Sequence, residues 1–207
     1  MTAISFRWLA LLIIAYLLGS IPTALWVTHW LAKKDVRTLG DGNMGARNVS
    51  HVLGWWPAAL VAVVDVLKGM LAIHLGYMLG MEGLPLYTLG VSAVIGHDYS
   101  ILAGFRGGQG MATTIGVCLV LLPLETLIGL ALFGALYLVL RNFNVSAGGG
   151  LGTLVLLAWL RGQPPALVFL PIALLLSIPL KKWADRGRVP EQPMANGQPP
   201  VQPNGNR

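Results

Sequence analysis

The sequence predicts an all-α, polytopic membrane protein with about seven transmembrane helices, and three observations carry that prediction. Of the 207 residues, 55% are hydrophobic and only 11% are charged. Soluble domains carry about 25% charged residues, so a chain this poor in charge is solvated by lipid rather than by water. The apolar residues also gather in long runs, at 6–32, 53–80, 84–104, 111–122, 124–140, 150–160 and 165–180.

The lengths of these runs decide how each one is interpreted. The first two exceed the roughly 20 residues that cross the hydrocarbon core. The first continues past Pro22, so it is interpreted as a retained helix rather than a cleaved signal peptide. The fourth and sixth are short, and such helices persist at membrane depth only when protein packs around them. Pro123 separates the fourth run from the fifth, because proline removes a helix hydrogen bond; one kinked helix over 111–140 is the alternative.

Loop charges predict the orientation, since Lys and Arg collect on the cytoplasmic side of membranes. If each run spans once, one side receives most of the basic residues, whereas the other receives Arg7, Arg161, Glu82 and Glu125. The N-terminus is therefore predicted outside and the C-terminus in the cytoplasm. This topology accounts for the net charge of +6 without a nucleic-acid partner, for which a stripe of basic and aromatic residues would be needed. The predicted cytoplasmic basic residues are Lys33, Lys34, Arg37, Arg47, Arg106, Arg141, Lys181, Lys182, Arg186 and Arg188.

The chain is predicted to contain a single structured domain. Residues 1–185 form the transmembrane helical domain in this interpretation. Residues 186–207 are rich in Pro, Gln, Asn and Gly and have few apolar residues to bury, so they are predicted to be a disordered cytoplasmic tail. The single cysteine, Cys118, excludes a disulfide within the chain and a cysteine-based metal site.

Two polar, glycine-rich loops interrupt the apolar runs. The first spans 40–49 and reads GDGNMGARNV. Glycine lets backbone amides approach a ligand closely, and successive amides in such a turn form a concave anion-binding site. The surrounding basic residues can pair with a phosphate; they are Lys33, Lys34, Arg37 and Arg47. A flexible loop with ordinary cytoplasmic charges is the alternative.

The second loop follows Gly96-His97-Asp98-Tyr99 and reads FRGGQGMATT over 105–114. Its glycines directly precede an apolar run. A helix start presents free N–H groups at the positive end of the helix dipole, which is a natural phosphate site. The loop is not a Walker loop, since no Lys-Ser/Thr pair follows the last glycine, and it is not a Rossmann fingerprint. A tight turn between helices is the alternative.

Two further polar features lie near membrane depth. Asp65 and Lys68 are three residues apart in the second run, on one face of a helix. Charges within a span are costly and usually paired or functional, so a structural ion pair and a contribution to a substrate site both stay open. His97 is either a general base or a hydrogen-bonded structural residue. The other histidines have no carboxylate or cysteine at metal-ligand spacing, so no metal is assigned.

Taken together, these segments resemble the acyl-phosphate-dependent glycerol-3-phosphate acyltransferases of bacteria, the PlsY family. The resemblance implies a small multi-helix enzyme of the bacterial inner membrane. Such an enzyme transfers a fatty acyl group from acyl phosphate to the 1-hydroxyl of glycerol 3-phosphate. The products are lysophosphatidic acid and phosphate, in the first acylation of phospholipid synthesis. The matching stretches lie within residues 5–145, in the order 19–22 (GSIP), 40–49, Asp65 with Lys68-Gly69, Gly96-His97, and 105–116.

The resemblance also implies roles for particular residues. The segment 107–110 is implied to bind phosphate, and the loop at 40–49 to help assemble a site that faces the cytoplasm. No cofactor is expected. The implied partners are acyl phosphate, glycerol 3-phosphate, the lipid bilayer and, as a further candidate, the enzyme that makes acyl phosphate. The predicted catalytic residues are His97, as general base, with Asp41 and Asn43. The predicted substrate-binding residues are Lys33, Arg37, Gly42, Gly45, Arg47, Asn48, Lys68, Gly107, Gly108, Gln109, Gly110 and Thr113.

Several positions depart from the family pattern. Asp41 stands where the family has Ser, and Arg47 stands where it has Thr. Asp98 replaces an Asn, and Gln109 replaces the Lys between the glycines of the second loop. The family's C-terminal His…Asn…Glu segment is missing, since no histidine follows His97. A catalytically silent or substrate-shifted member and a transporter for a phosphorylated metabolite therefore stay open as alternatives.

Overall fold

A computed structural model describes residues 3–184, and within that range the chain is helical without β-strands. The all-α prediction is therefore confirmed for these residues, whereas the predicted tail at 186–207 lies outside them. Short 3-10 turns lie in two of the loops, at Val36–Thr38 and Ile101–Ala103. The α-helices are α1 (Ala3–Gly19), α2 (Thr23–Ala32), α3 (Ala46–Leu53), α4 (Trp55–Met78), α5 (Gly83–Asp98), α6 (Met111–Leu121), α7 (Pro123–Leu140), α8 (Phe143–Leu160) and α9 (Pro165–Ala184).

The lengths and surfaces of these helices suit a membrane. Within residues 3–184, four segments are long and apolar enough to cross one: Phe6–Ala32, Trp55–Met78, Pro123–Leu140 and Phe143–Leu160. Their outer faces expose large apolar side chains such as Met78, Leu138 and Val139, as contact with lipid requires. The helices α6 and α9 are apolar but shorter within their apolar parts. Seven crossings and the orientation stay predictions.

The first of these segments is interrupted at Ser20–Pro22, between α1 and α2. Pro22 precedes α2 with backbone angles outside the helical region (φ −87°, ψ 68°). The interruption turns two carbonyl oxygens toward neighbouring elements. The Ser20 carbonyl accepts a hydrogen bond from Ser100 Oγ (2.5 Å), and the Ile21 carbonyl accepts one from Lys68 Nζ (2.5 Å). Irregular backbone at membrane depth is tolerated where protein buries it and satisfies its polar groups.

The helices α6 and α7 are separate and lie side by side. Leu122 has non-helical angles (φ −137°, ψ 59°), and Pro123 occupies the first position of α7, where its missing N–H costs nothing. Both helices line one groove together with positions 143–154 of α8, a stretch that rises about 17 Å. If residues 111–133 formed a single helix, it would be about 33 Å long and could not fit along that stretch of α8. The alternative of one long helix over 111–140 is therefore wrong.

The sixth apolar run extends further than its sequence predicted. The prediction of a short segment at 150–160 is wrong, because α8 begins at Phe143 and has 18 residues. Asn142 caps its start by accepting hydrogen bonds from the N–H groups of Asn144 and Val145. At Gly149 and Gly150 the helix packs closely against α7, with the backbones of Gly129 and Gly150 in direct approach. Small residues allow such approach between membrane helices.

One ion pair joins the start of α7 to the end of α8. Glu125 is 1% exposed and accepts a hydrogen bond from Arg161 Nη1 at 2.9 Å and another from Gln163 Nε2 at 3.4 Å. The carboxylate also lies in the first turn of α7, where the helix dipole favours a negative charge. The pair therefore holds the two helices together at this end.

Close packing of α4 against α6 positions the polar residues of both helices. Gly69 and Gly116 lie at this crossing, where any added Cβ would collide with the facing backbone. Ile73, Leu89 and Val117 are fully buried beside it and belong to the larger apolar cluster of the fold. The turn of α4 that carries Asp65 and Lys68 is thereby held next to the start of α6.

Candidate active site

A small polar cleft lies at one end of the helices, where five segments of the chain meet. The interruption between α1 and α2 forms one wall, and α4 and α5 contribute charged and histidine side chains. Met44 reaches the cleft from the first glycine-rich loop, and a glycine turn closes it from the second. The two loops that the sequence singled out thus meet in one place. The lining residues are Ile21, Pro22, Thr23, Met44, Asp65, Lys68, His97, Ser100, Gly107 and Gly108.

Asp65 and Lys68 form a buried ion pair in this cleft. The Lys68 Nζ to Asp65 Oδ1 distance is 2.6 Å, and the two side chains are 4% and 2% exposed. The ammonium group also donates to the Ile21 carbonyl. The pair is therefore an ion pair that lines the cleft, and its contribution to a substrate site stays a prediction.

His97 lies between this ion pair and the glycine turn. Its Nδ1 is 3.8 Å from Asp65 Oδ1, which is beyond hydrogen-bond length. Its Nε2 faces Gly108, where an added Cβ would overlap the ring. The Gly108 N–H donates to the His97 carbonyl oxygen at 3.1 Å, so the turn is fastened to the histidine backbone as well. His97 is 7% exposed, and its Nε2 is directed at the turn.

The glycine turn leads directly into α6. Gly110 has a positive φ of 64° and precedes the first residue of that helix, a conformation that favours glycine. The N–H groups of the first helical turn are free of helical partners and face the end where the cleft lies. Thr113 is fully buried in this turn, and its hydroxyl has no hydrogen-bond partner among the described residues. Gln109 is half-buried between the glycines.

The first loop is organised around Asn48. Its amide nitrogen donates to the Leu39 and Asn43 carbonyls, and its amide oxygen accepts from the Asp41 N–H. Asp41 in turn accepts from the Asn43 N–H at 3.0 Å, a local turn typical of Asp. Asn48 is buried, whereas the Asp41 side chain is exposed. The geometry therefore favours Asn48 as a residue that shapes the loop.

The predicted basic residues of this loop differ in their surroundings. Lys33 ends α2 and is exposed. Arg47 is exposed, with its guanidinium 5.1 Å from the centre of the Phe143 ring. Arg37 donates to the Asp35 carboxylate at 2.6 Å and to the Ala103 carbonyl at 3.1 Å.

The Arg37 contacts tie together the segments that precede the two loops, since Asp35 lies before the first loop and Ala103 before the second. The hydrogen bond from Arg37 lowers the pKa of the Asp35 carboxyl below its ordinary value. The remaining predicted glycines, Gly42 and Gly45, lie in the first loop on either side of Asn43.

Sequence reasoning missed several residues of this region. Ser20 and Ser100 looked ordinary, yet both are buried and link α1 to the end of α5. Thr23 lines the cleft, with a buried hydroxyl that has no hydrogen-bond partner in the described part of the chain. Lys181 was assigned only to topology, but it is 2% exposed. Pro22 was the available signal for Ser20 and Ser100, because a proline at membrane depth leaves backbone carbonyl groups without helical hydrogen bonds.

The fold and the cleft together define the class of protein. It is an integral membrane protein in which a buried ion pair, a histidine and a glycine turn at the start of a helix line one cleft. The chain belongs to the glycerol-3-phosphate acyltransferase family, whose family model matches residues 9–188. The predicted family, the acyltransferase class and the role in phospholipid synthesis are thereby confirmed, as is a location in a membrane.

Individual relatives agree with this membership. A glycerol-3-phosphate acyltransferase of Enterococcus faecalis is 44% identical over 113 residues, which cover 55% of this chain and 52%, about half, of that relative's length. Glycerol-3-phosphate acyltransferase 1 of Deinococcus radiodurans is 39% identical over 178 residues, which cover 86% of this chain and 80% of that protein. The crystal structure of PlsY, an integral membrane glycerol 3-phosphate acyltransferase, in its glycerol 3-phosphate form has a TM-score of 0.77 and 30% identity, and the match covers 88% of this chain and 91% of that chain.

Proposed function

We propose that the chain transfers a fatty acyl group from acyl phosphate to the 1-hydroxyl of glycerol 3-phosphate. Lysophosphatidic acid and phosphate are the products. One observation carries the proposal: the ion pair, His97 and the glycine turn meet in a single cleft, and a groove for an acyl chain begins beside that turn. The site faces the cytoplasm of a bacterial inner membrane in this proposal, with seven crossings and the N-terminus outside.

The apolar groove supports a lipid donor. It lies between α6, α7, α8 and α9, and its lining is almost entirely apolar. Met111 and Thr114 line it from the first turn of α6, directly after the glycine turn. Phe143 lines the same groove and lies under the Arg47 guanidinium. A phosphate on the turn would therefore place its acyl chain along the groove.

The reaction needs positioning and charge stabilisation, because acyl phosphate is already activated. The glycerol hydroxyl oxygen attacks the acyl carbon, and the bond from that carbon to the phosphate oxygen breaks. Amides of Gly107 and Gly110 hold the leaving phosphate and stabilise developing negative charge, while the Gly108 N–H stays bound to the His97 carbonyl and fixes the turn. His97 Nε2 accepts the hydroxyl proton, with a phosphate oxygen of the substrate as the alternative acceptor. Oriented attack of this kind lowers a barrier by about 7–11 kcal/mol.

Glycerol 3-phosphate is assigned to the cationic side of the cleft and its rim. Lys68 lies in the cleft, while Lys33 and Arg47 are exposed at the end of α2 and in α3, on either side of the first loop's glycines. Arg37 and Asn48 shape the loop that carries this rim, and Asn43 orients the glycerol hydroxyls. Thr113 and Gln109 complete the predicted binding set at the start of α6.

The proposal is tested by comparing acyl donors. Purified protein in lipid vesicles is given glycerol 3-phosphate with acyl phosphate, acyl-CoA or acyl carrier protein. Transfer from acyl phosphate, with phosphate released in equal amount, is expected. Transfer only from another donor, or none at all, would contradict the proposal and favour a substrate-shifted or silent member, for which the acidic Asp41 and Asp98 are the structural reason.

His97→Ala is expected to lower kcat by about 10²–10⁴-fold, because the proton acceptor directed at the turn is lost. Arg47→Ala is expected to raise KM for glycerol 3-phosphate. Steady-state acyl transfer in vesicles measures both. His74→Ala is the matched control, since His74 is exposed in α4 and its ring hydrogen-bonds the Met70 carbonyl within its own helix. Full activity in both test variants would remove these roles.

Ala147→Phe is expected to shift donor preference toward shorter acyl chains, because Ala147 lines the apolar groove and a phenyl ring would fill it. Competition between acyl phosphates of different chain length measures the shift. Ala135→Phe places the same ring on an exposed position of α7 and should leave the preference unchanged. An unaltered preference in Ala147→Phe would show that the acyl chain lies elsewhere.

A further inference from the structure

One threonine of the apolar groove carries a buried hydroxyl group that has no partner within residues 3–184. Thr114 lines the groove and is 3% exposed, and its hydroxyl oxygen makes no hydrogen bond to the described residues. Burying a hydroxyl without a hydrogen bond costs free energy. Most buried side-chain polar atoms in folded proteins have a partner, so this hydroxyl is a candidate contact for a ligand.

A second threonine of the same groove shows how a hydroxyl in this local setting can be satisfied. Thr114 and Thr126 are each the fourth residue of a helix, in α6 and α7. Each donates its backbone N–H to the carbonyl four residues earlier, that of Gly110 (2.8 Å) or Leu122 (2.9 Å). The Thr126 hydroxyl also donates to the Leu122 carbonyl, at 2.7 Å. The Thr114 hydroxyl makes no such bond to Gly110, so it is available to a ligand in the groove.

Thr114 lies where the groove meets the glycine turn. The hydrogen bond from its N–H to the Gly110 carbonyl fastens its backbone to the end of that turn. Four helical residues rise about 6 Å, so the two positions are close along α6. Met111, three residues earlier and on the same helix face, lines the groove as well. An acyl phosphate with its phosphate on the turn and its chain in the groove would place its carbonyl group at this first turn of α6.

Acyl transfer creates negative charge at the carbonyl oxygen. When the glycerol hydroxyl oxygen bonds to the acyl carbon, one electron pair of the carbonyl double bond moves to the carbonyl oxygen. The pair returns as the bond from the acyl carbon to the phosphate oxygen breaks. A hydrogen-bond donor that binds this oxygen more strongly when it is charged lowers the barrier. The Thr114 N–H is already bound to Gly110, so the hydroxyl is the donor that this residue can offer.

We propose that Thr114 is a further catalytic residue, whose hydroxyl donates a hydrogen bond to the carbonyl oxygen of the acyl donor and stabilises its charge during transfer. This inference rests on the proposed function and deepens it. The amides of the glycine turn hold the phosphate, His97 takes the hydroxyl proton, and Thr114 holds the carbonyl oxygen between them. The ligand class is an activated acyl group with an apolar chain.

The test compares Thr114→Val with Thr114→Ser in full-length protein reconstituted in lipid vesicles. Thr114→Val keeps the shape of the side chain but removes the donor. It is expected to lower kcat by about 10²–10³-fold, the size of a lost oxyanion donor, with a smaller change in KM for acyl phosphate. Thr114→Ser keeps the hydroxyl and should retain most of the activity. Thr28→Val is the matched control, since Thr28 also has a buried hydroxyl without a partner in the described chain but belongs to α2, outside the helices that line the groove. Its kcat should be unchanged.

The thermal unfolding midpoint separates this role from a structural one. A hydroxyl that supports the fold would lower the midpoint when it is removed. A buried hydroxyl without a partner opposes folding, so Thr114→Val is expected to unfold at the wild-type midpoint or above it.

Three outcomes would overturn the inference about Thr114 while the proposed function stands. They are wild-type kcat in Thr114→Val, activity in Thr114→Ser as low as in Thr114→Val, and a lowered midpoint in Thr114→Val, which would assign the hydroxyl to stability. Wild-type protein that transfers from acyl-CoA or acyl carrier protein but not from acyl phosphate would contradict the proposed function instead. The same variants would then decide the role of Thr114 with that donor, because every such donor presents a carbonyl oxygen. Wild-type protein that transfers from none of the three would contradict both.

Discussion

Gly108→Ala is expected to reduce kcat/KM for acyl transfer by about 100-fold or more, because the His97 ring and the glycine turn cannot both keep their places. A Cβ at this position would overlap His97 Nε2. The Gly108 N–H also donates to the His97 carbonyl, so the backbone of the turn has little freedom to withdraw. A displacement of about 1 Å between reacting groups can cost about 10²-fold in rate.

Steady-state acyl transfer measures this effect, and near-ultraviolet circular dichroism confirms that the helices still pack. Gly148→Ala is the matched control, since an added Cβ there has no heavy atom within 4 Å. It should retain wild-type kcat/KM. If Gly108→Ala were fully active, the turn would not lie against His97 during the reaction, and the geometry assigned to the site would be incorrect.

Asp65→Asn is expected to lower the free energy of unfolding by about 3–5 kcal/mol, because it leaves the Lys68 ammonium group buried without its counter-charge. Acyl transfer should be lost as well, since His97 loses the carboxylate 3.8 Å from its Nδ1. Denaturant unfolding in detergent micelles gives the first quantity, and the vesicle assay gives the second.

The double variant Asp65→Asn/Lys68→Met separates stability from activity. Replacing both charges restores most of the stability, since no unpaired charge is left inside, but it should not restore acyl transfer. Asp35→Asn is the control for an accessible pair, as its carboxylate and the Arg37 side chain are 36% and 27% exposed. That change should cost less than about 1 kcal/mol. An active double variant would exclude the ion pair from the reaction.

The helical architecture followed from hydropathy because lipid allows few alternatives. A chain in hydrocarbon must satisfy its backbone hydrogen bonds within each segment, so apolar runs became helices at nearly the predicted places. The start of α8 was misplaced because the glycines at 148–150 weaken helix propensity, whereas the close approach of Gly150 to Gly129 compensates for it. That compensation depends on two helices meeting, which one sequence does not reveal.

The site was only partly predictable for the same reason. The three-residue spacing of Asp65 and Lys68 indicated a shared helix face, and the glycine loops marked both turns. The partner of Lys68 at Ile21 is a backbone oxygen exposed by a broken helix, and side-chain chemistry does not signal it. Lys181 lies 82 residues beyond Tyr99 in the sequence, and only the packing of α9 places its ammonium group 4.9 Å from the centre of that ring.

The two ion pairs with a buried carboxylate impose different demands on how the chain enters the bilayer. Asp65 and Lys68 lie on one helix, so their charges cancel within α4. Moving this helix into lipid therefore costs less free energy than moving a helix with a single charge. Glu125 and Arg161 lie at the two ends of a helical hairpin, so the buried Glu125 carboxylate has no counter-charge until both helices have been synthesised. During biogenesis α7 should therefore remain at the insertion machinery until α8 and Arg161 have been synthesised.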